Sequence, residues 1–490
     1  MYFNSMEFLL FFPIVVLVYY AIPQKIKWIW LLITSFFFYM CWSVKYSFLL
    51  MFTIVTTWVT ALLIGKANKY TGKKKVYLRS IGLASCIVIN LGILFVFKYG
   101  NFVIDNLSYL GIQNVSKFNI ILPVGISFYT FQAIGYIADV YKGELEAEKN
   151  LGKYALFVSF FPQLIAGPIE RAPHLMKQIH EIHKFEYGNA KNGLILMTWG
   201  LFQKVVIADR AGIVVNTVFN SYENYPGIWR LFAAILFSVQ IYCDFGGYSN
   251  IAIGAAKVMG FELMDNFDTP YFAQSIKEFW RRWHISLSQW LRDYIYIPMG
   301  GGHCSKKRKY FNIMVTFAIS GLWHGAGWNY IVWGLLHGTY QVVGEFSKPA
   351  RDNLKEILHI RETELLGCFR CLITFSMVTL AWIFFRMSSL TNALCFINGM
   401  FTDFQLYRIM DAAQWNSLGI TAIELWFLSV FIVCLFAVSL IHRRQPVLKL
   451  LANQNIMERW IVYFILIFTI ILFGAYGMEE AQTQFIYFQF

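Results

Sequence analysis

Three of the nine histidines in this 490-residue chain sit in apolar company: His284, His324 and His337. An unperturbed imidazole titrates near pH 6.5, so such a side chain can take or return a proton at neutral pH. His324 lies in SGLWHGAGWNYIVWGLLHG, with Ser320, Gly321, Gly325, Ala326 and Gly327 around it. Glycines there let a backbone or a substrate come close. His337 has a similar setting, between Leu336 and Gly338. A lone histidine in an apolar run is usually a packing residue with a satisfied partner. Two of them in one glycine- and tryptophan-rich tract point to a reaction site. The other six lie in polar or charged loops. His174, His180 and His183 fall in a polar loop whose HEIH lacks the spacing that puts two ligands on one helix face. His303, His359 and His442 lie in charged loops.

His284 belongs to a second tract, EFWRRWHISLSQWLRDYIYIPM (278–299), the densest mixture of charge and aromatic rings in the chain. Trp280, Trp283 and Trp290 alternate with Arg281, Arg282, Arg292 and Asp293. That spacing predicts an interfacial amphipathic helix with rings at headgroup level and guanidinium groups on water or phosphate. One reading is a plain membrane-surface anchor. The other is a cytoplasmic mouth for an anionic, carrier-linked donor, edged by Trp280, Arg281, Arg282 and Trp283. DFGGYSNIAIG (244–254) supplies small residues and Asp244, compatible with close helix packing or a substrate path. The C-terminus ends FIYFQF, an apolar finish where exposed tails are usually polar. It reads as an interfacial anchor or as a segment that folds back into the protein.

Other chemistries lack their residues. No glycine-rich phosphate loop, G-x-S-x-G turn or metal-ligand array is present. Cys41, Cys86, Cys243, Cys395 and Cys434 lie in apolar surroundings, where a thiol acts as a small hydrophobe. Cys368 and Cys371 form a lone CxxC without a second pair or a nearby histidine cluster to complete a zinc site. No metal and no tightly bound cofactor is expected.

The elements that must position these residues are membrane helices. The chain is 58% hydrophobic and only 14% charged, against about 25% charged for a soluble domain. Its net charge of +13 sits in short loops between apolar runs, which argues against nucleic acid as a partner. Apolar stretches fall at 8–22, 28–42, 48–64, 81–97, 120–138, 151–166, 193–208, 231–243, 311–322, 330–343, 372–385, 423–441 and 461–476. At about 20 residues per span, with some runs short or re-entrant, roughly eleven transmembrane helices are expected. The first run lacks the basic flank and cleavage site of a signal peptide. Segment 65–79 carries Lys66, Lys69, Lys73, Lys74, Lys75 and Arg79 without an acid, so it is placed in the cytoplasm. The basic loops near 306–309 and 443–449 go with it. Counting spans from these loops puts both termini outside. Segment 347–364 is the most polar and reads as a loop or surface helix, and no internal repeat is visible.

Taken together, these tracts resemble the membrane-bound O-acyltransferase family, in particular its bacterial branch similar to alginate O-acetyltransferases. The resemblance rests on LPVGISFYTFQAIGYIADVYKG from Leu122, FFPQLIAGPIERA from Phe160 and YCDFGGYSNIAIG from Tyr242. It continues through FWRRWHISLSQWLRDYIYIPMGG and SGLWHGAGWNYIVWGLLHG, in the family's order. The chain departs at Gly246 and Asn250, where serine and an acidic residue would match.

The resemblance implies an all-α fold: a ring of helices around a central tunnel over residues 1–476, followed by a tail, 477–490. His324 would be the catalytic histidine, with His284, His337, Trp323 and Asp244 along or beside the tunnel. The tail's Phe485, Tyr487 and Phe490 match an F-x-Y-x-x-F motif whose tyrosine accepts an acyl group in related cell-envelope systems. The implied reaction moves an acyl group, acetyl first, from a cytoplasmic thioester (acetyl-CoA or an acylated carrier protein) across the bacterial cytoplasmic membrane. The implied partner is an extracellular acyltransferase with a serine nucleophile that loads a polysaccharide. D-alanyl transfer to teichoic acid is the alternative within the class. A small-solute transporter or a scaffold that recruits a partner enzyme are the alternatives outside it.

Overall fold

The computed structural model describes residues 1–112, 116–165 and 167–476. Among them there is no β-strand, and the chain is an all-helical, multi-pass membrane protein. Among the described residues six helices are long and apolar enough to cross a bilayer, and the longest, Gly72–Tyr109, runs 38 residues through a π-helical turn at Phe95–Tyr99. Shorter apolar helices accompany them, such as α1 (Met6–Ala21). The chain folds as two compact units. One holds residues 1–197 and 249–265, the other 198–248 and 266–490.

In the first unit α1 is followed by α2 (Lys27–Met40), α3 (Val44–Ala67), α4 (Gly72–Leu94) and α5 (Gly100–Tyr109). Then come α6 (Ile126–Lys142), α7 (Leu151–Ser159), α8 (Phe161–Leu164), α9 (Ala172–His180) and α10 (Tyr187–Leu201). α3 packs on α4 and α6, and α2 on α7. The apolar run 151–166 breaks at Phe160 because Pro162, in the first turn of α8, has no N–H for the Val158 carbonyl and its ring would clash there in a continuous helix. Gln132 and Gln163 both donate to the Phe157 carbonyl (2.8 and 2.6 Å), satisfying an acceptor that the break would orphan.

The second unit contains α11 (Asp209–Asn220), most of α12 (Gly227–Val258), α13 (Ile276–Arg282), α14 (Ile285–Leu291), α15 (Lys306–His324) and α16 (Trp328–Phe346). It ends with α17 (Lys348–Ile357), α18 (Glu364–Arg386), α19 (Leu390–Thr402), α20 (Ala412–Asn416), α21 (Ala422–Arg444), α22 (Val447–Asn453) and α23 (Ile456–Phe473). Along α23 Ile470 is buried and the other side chains are half-buried or exposed, as expected of a helix whose solvent is largely lipid. The tail with Phe485, Tyr487 and Phe490 lies outside the described residues.

The tract 278–299 is not one amphipathic helix. It breaks at Trp283 and His284, and His284 takes a left-handed conformation (φ 42°) as it caps α14. Trp280 and Trp283 turn inward and are 7% and 0% exposed. The physical reason is cohesion: the rings find aromatic partners inside the unit.

Candidate active site

The site is built on the α15–α16 hairpin. α15 stops at His324 because Gly325, Ala326 and Gly327 follow, with Gly325 and Gly327 both extended. The two helices then touch backbone to backbone. A Cβ on Gly321 would lie 2.3 Å from the Tyr330 carbonyl, and one on Gly334 would lie 2.2 Å from that of Phe317. Membrane helices associate through such small residues, since lipid supplies no hydrophobic drive between them. Gly334→Ala is therefore expected to destabilise the protein by about 1–3 kcal/mol through overpacking. Gly188→Ala, whose added Cβ meets nothing within 4 Å, is expected to be neutral or mildly stabilising. Thermal unfolding of the two variants in detergent makes the comparison.

His324 occupies the last position of α15, where the negative end of the helix dipole favours positive charge arriving on the ring, by about 0.3–1 kcal/mol. It is 3% exposed. Its ring meets Trp333 and Phe385 edge to face, at 4.9 and 5.3 Å, and Trp323 at 4.9 Å. Trp333 also meets His337 edge to face at 5.1 Å. Trp280 Nε1 donates to His337 Nδ1 (3.2 Å), so a neutral His337 carries its proton on Nε2. That Nε2 is buried and has no hydrogen-bond partner among the described residues, leaving a donor inside the aromatic cluster.

His284 completes the group. Its ring centroid is 6.3 Å from that of His324, and it packs edge to face on Phe245 at 4.7 Å. Nδ1 lies 3.1 Å from Asn266 Oδ1, which also accepts from the Ser286 hydroxyl (2.8 Å) and, at 3.4 Å, the Ser286 backbone N–H. A backbone donor demands oxygen at that atom, so His284 donates through Nδ1 and its Nε2 is an acceptor in the neutral ring. Holding a non-glycine residue at positive φ costs roughly 1–3 kcal/mol, and such strain gathers at functional sites. The cluster thus holds an imidazole at a helix end, a second one oriented by an amide, and a spare N–H donor. All three sit in a low-dielectric aromatic wall, an arrangement suited to moving a proton while excluding water.

The structure brings His284, His324, His337, Trp323, Trp280 and Trp283 into one aromatic core. Arg281 is exposed, while Arg282 pairs with Glu278 (3.0 Å) and Asp268 (3.6 Å). Asp244 faces Lys204 at 2.6 Å, and the same ammonium lies 2.7 Å from Asp209, all three side chains buried. Asp293 pairs with its neighbour Arg292 (2.7 Å). Sequence reasoning missed Lys204, Asp209 and Asn266. Lys204 had a signal, being an ammonium inside the apolar run 193–208, where charges are costly. Asn266 had none, since it sits in a loop 18 positions before its partner. Among the described residues no group of three or more His, Cys, Asp or Glu side chains is placed to hold a metal ion.

The profile of the membrane-bound O-acyltransferase family matches residues 148–360, a span that includes His284, His324 and His337. A probable alginate O-acetylase, AlgI, of Pseudomonas putida is 34% identical over 100% of this chain and 100% of its own. The peptidoglycan O-acetyltransferase of Helicobacter pylori is 36% identical over 76% of this chain and 73% of its own. The teichoic acid D-alanyltransferase of Bacillus subtilis is 30% identical over 54% of this chain and 69% of its own.

Proposed function

The chain belongs to the membrane-bound O-acyltransferase family, and from that premise we propose that it relays an acetyl group across the cytoplasmic membrane for O-acetylation of a cell-envelope polysaccharide. The observation that carries this reading is His324, set at the end of α15 in an aromatic wall beside His284. The donor is a cytoplasmic thioester, acetyl-CoA or an acylated carrier protein, docking on the side where Arg281 is exposed. The acceptor is Tyr487. A free phenol has a pKa near 10 and is a weak nucleophile at neutral pH, so it needs a base. His324 takes the phenol proton as the oxygen attacks the thioester carbon. The C–S bond breaks, and the same proton goes to the leaving thiolate. The acyl-tyrosine then passes its group, outside the membrane, to the serine of a partner acyltransferase and from there to a polymer hydroxyl.

Two features support the tail's part in this. Ala475 N–H donates to the Val205 carbonyl (2.9 Å), and Arg210 Nη2 donates to the Phe473 carbonyl (2.9 Å), so the root of the tail is pinned. From Tyr476 to Tyr487 an extended chain spans at most about 40 Å. The relay keeps the thioester in the cytoplasm and the polymer outside, with both chain termini on the outer side. Acetyl is favoured over D-alanyl because the relatives that align over more of this chain are named as O-acetylating enzymes.

The test is a mass spectrum of the C-terminal peptide from protein purified out of its native host, beside that of His324→Gln. An acetyl adduct on Tyr487 that disappears in the variant is the expected result. A bare tyrosine in both, with polymer acetylation intact in the wild type, would overturn the relay.

A further inference from the structure

The first unit contains a cavity of about 250 Å³ that no step of this chemistry uses. It lies between the turn entering α2, the start of α7 and the segment after α9, and its charged lining is mostly basic: Lys25, Lys27 and Lys153, against Glu181 alone. Glu181 itself lies 3.9 Å from Lys177, so it leans on a cation of its own.

Lys27 is the telling residue. It is 8% exposed, and its ammonium donates to the His183 carbonyl (2.8 Å) and lies over the rings of Tyr19 (4.7 Å) and Tyr20 (5.1 Å). No carboxylate among the described residues is within ion-pairing distance of it. A buried ammonium held by a carbonyl and two π faces lacks a counter-charge among the described residues, and an anion in the cavity would supply one. Lys153 is aimed by a relay: its ammonium donates to His180 Nδ1 (2.8 Å), and His180 Nε2 donates to Glu148 (2.7 Å). Both ring nitrogens of His180 are thus taken up by these two partners. Three lysines against one glutamate leave the lining with an excess of two positive charges.

We infer that this cavity is a binding site for a phosphate-bearing anion, its oxygens taken by Lys25, Lys27 and Lys153. A carboxylate would leave much of the volume empty and offers two oxygens to three ammonium groups. The cavity wall also has an apolar part, Trp28 and Leu31, and Ile182 stands 70% exposed at its edge, with Ile26 and Phe185 exposed nearby. A phosphate ester with a lipid chain fits that pairing of a basic pocket and an apolar rim. A soluble phosphate ester shares the same head chemistry.

The test uses the full-length protein in a neutral detergent, with phosphatidylglycerol, phosphatidylcholine and inorganic phosphate as probes. Native mass spectrometry reads lipid retention, and thermal protection at matched ionic strength reads phosphate. Wild-type protein is expected to hold phosphatidylglycerol at least tenfold more tightly than phosphatidylcholine. Lys25→Gln/Lys153→Gln should lose about tenfold, and Lys25→Gln alone, which changes an exposed side chain, about threefold. Lys73→Gln/Lys74→Gln, equal in charge change but elsewhere on the unit, should lose nothing. Protection by inorganic phosphate with the same lysine dependence, and no preference between the lipids, would assign the site to a soluble phosphate ester. Equal retention of every probe by wild type and by the cavity variants, or an equal loss in the Lys73/Lys74 pair, would overturn the site.

Discussion

His324→Gln is expected to lower acyl transfer by about 10²–10⁴-fold, the range that a positioned general base contributes, while leaving a folded protein. Glutamine keeps most of the side-chain volume between Trp323, Trp333 and Phe385, so the aromatic wall does not collapse into a void. Alanine would open a cavity and add a packing cost of roughly 2–4 kcal/mol that confuses the result. What glutamine lacks is a basic nitrogen lone pair that can take up a proton. His284→Gln should cost less, about tenfold, because its ring acts through its place beside His324 and its bond to Asn266. The readouts are transfer of labelled acetyl to the acceptor and the thermal midpoint in detergent. A His324→Gln protein with an unchanged midpoint and transfer within tenfold of wild type would remove His324 from the mechanism.

Helix positions were legible because the apolar runs are long and lipid leaves the backbone no alternative to intrahelical bonding. The stretch 330–343 became α16 (Trp328–Phe346), and 423–441 became α21 (Ala422–Arg444). The polar segment 347–364 begins as the short exposed helix α17. His324 was legible for a local reason, since glycine and tryptophan around a histidine stand out in any order of reading. The tract around His284 was not. Alternating tryptophan and arginine have the same period whether the rings face lipid or a core. The choice was made by partners far away in sequence: Trp382 against Trp283 and His337 against Trp280. Lys204 escaped notice because hydropathy averages over a window, and one ammonium does not lower the mean of 193–208 enough to show.

That lysine carries the second large effect. Lys204→Met is expected to destabilise the protein by about 3–5 kcal/mol, since it removes the buried ammonium that two buried carboxylates, Asp209 and Asp244, face at 2.7 and 2.6 Å. The asymmetry of the cluster makes the cause testable. Asp209→Asn keeps the Lys204–Asp244 ion pair and should cost much less than the loss of the lysine. Lys204→Met/Asp209→Asn/Asp244→Asn removes all three charges and should recover most of the stability, because neutral groups of the same shape escape the penalty of an unpaired buried ion. Activity should not recover with it in full. Lys204 lies in the π-helical turn Phe202–Ala208, and the residue after Asp244 is Phe245, the ring on which His284 rests. Loosening the cluster therefore loosens the platform beneath His284. Thermal midpoints and acetyl transfer measured on the three variants separate the two effects. If the triple variant is as unstable as Lys204→Met, charge is not what the lysine supplies, and its packing in the π-helical turn must be what holds the region.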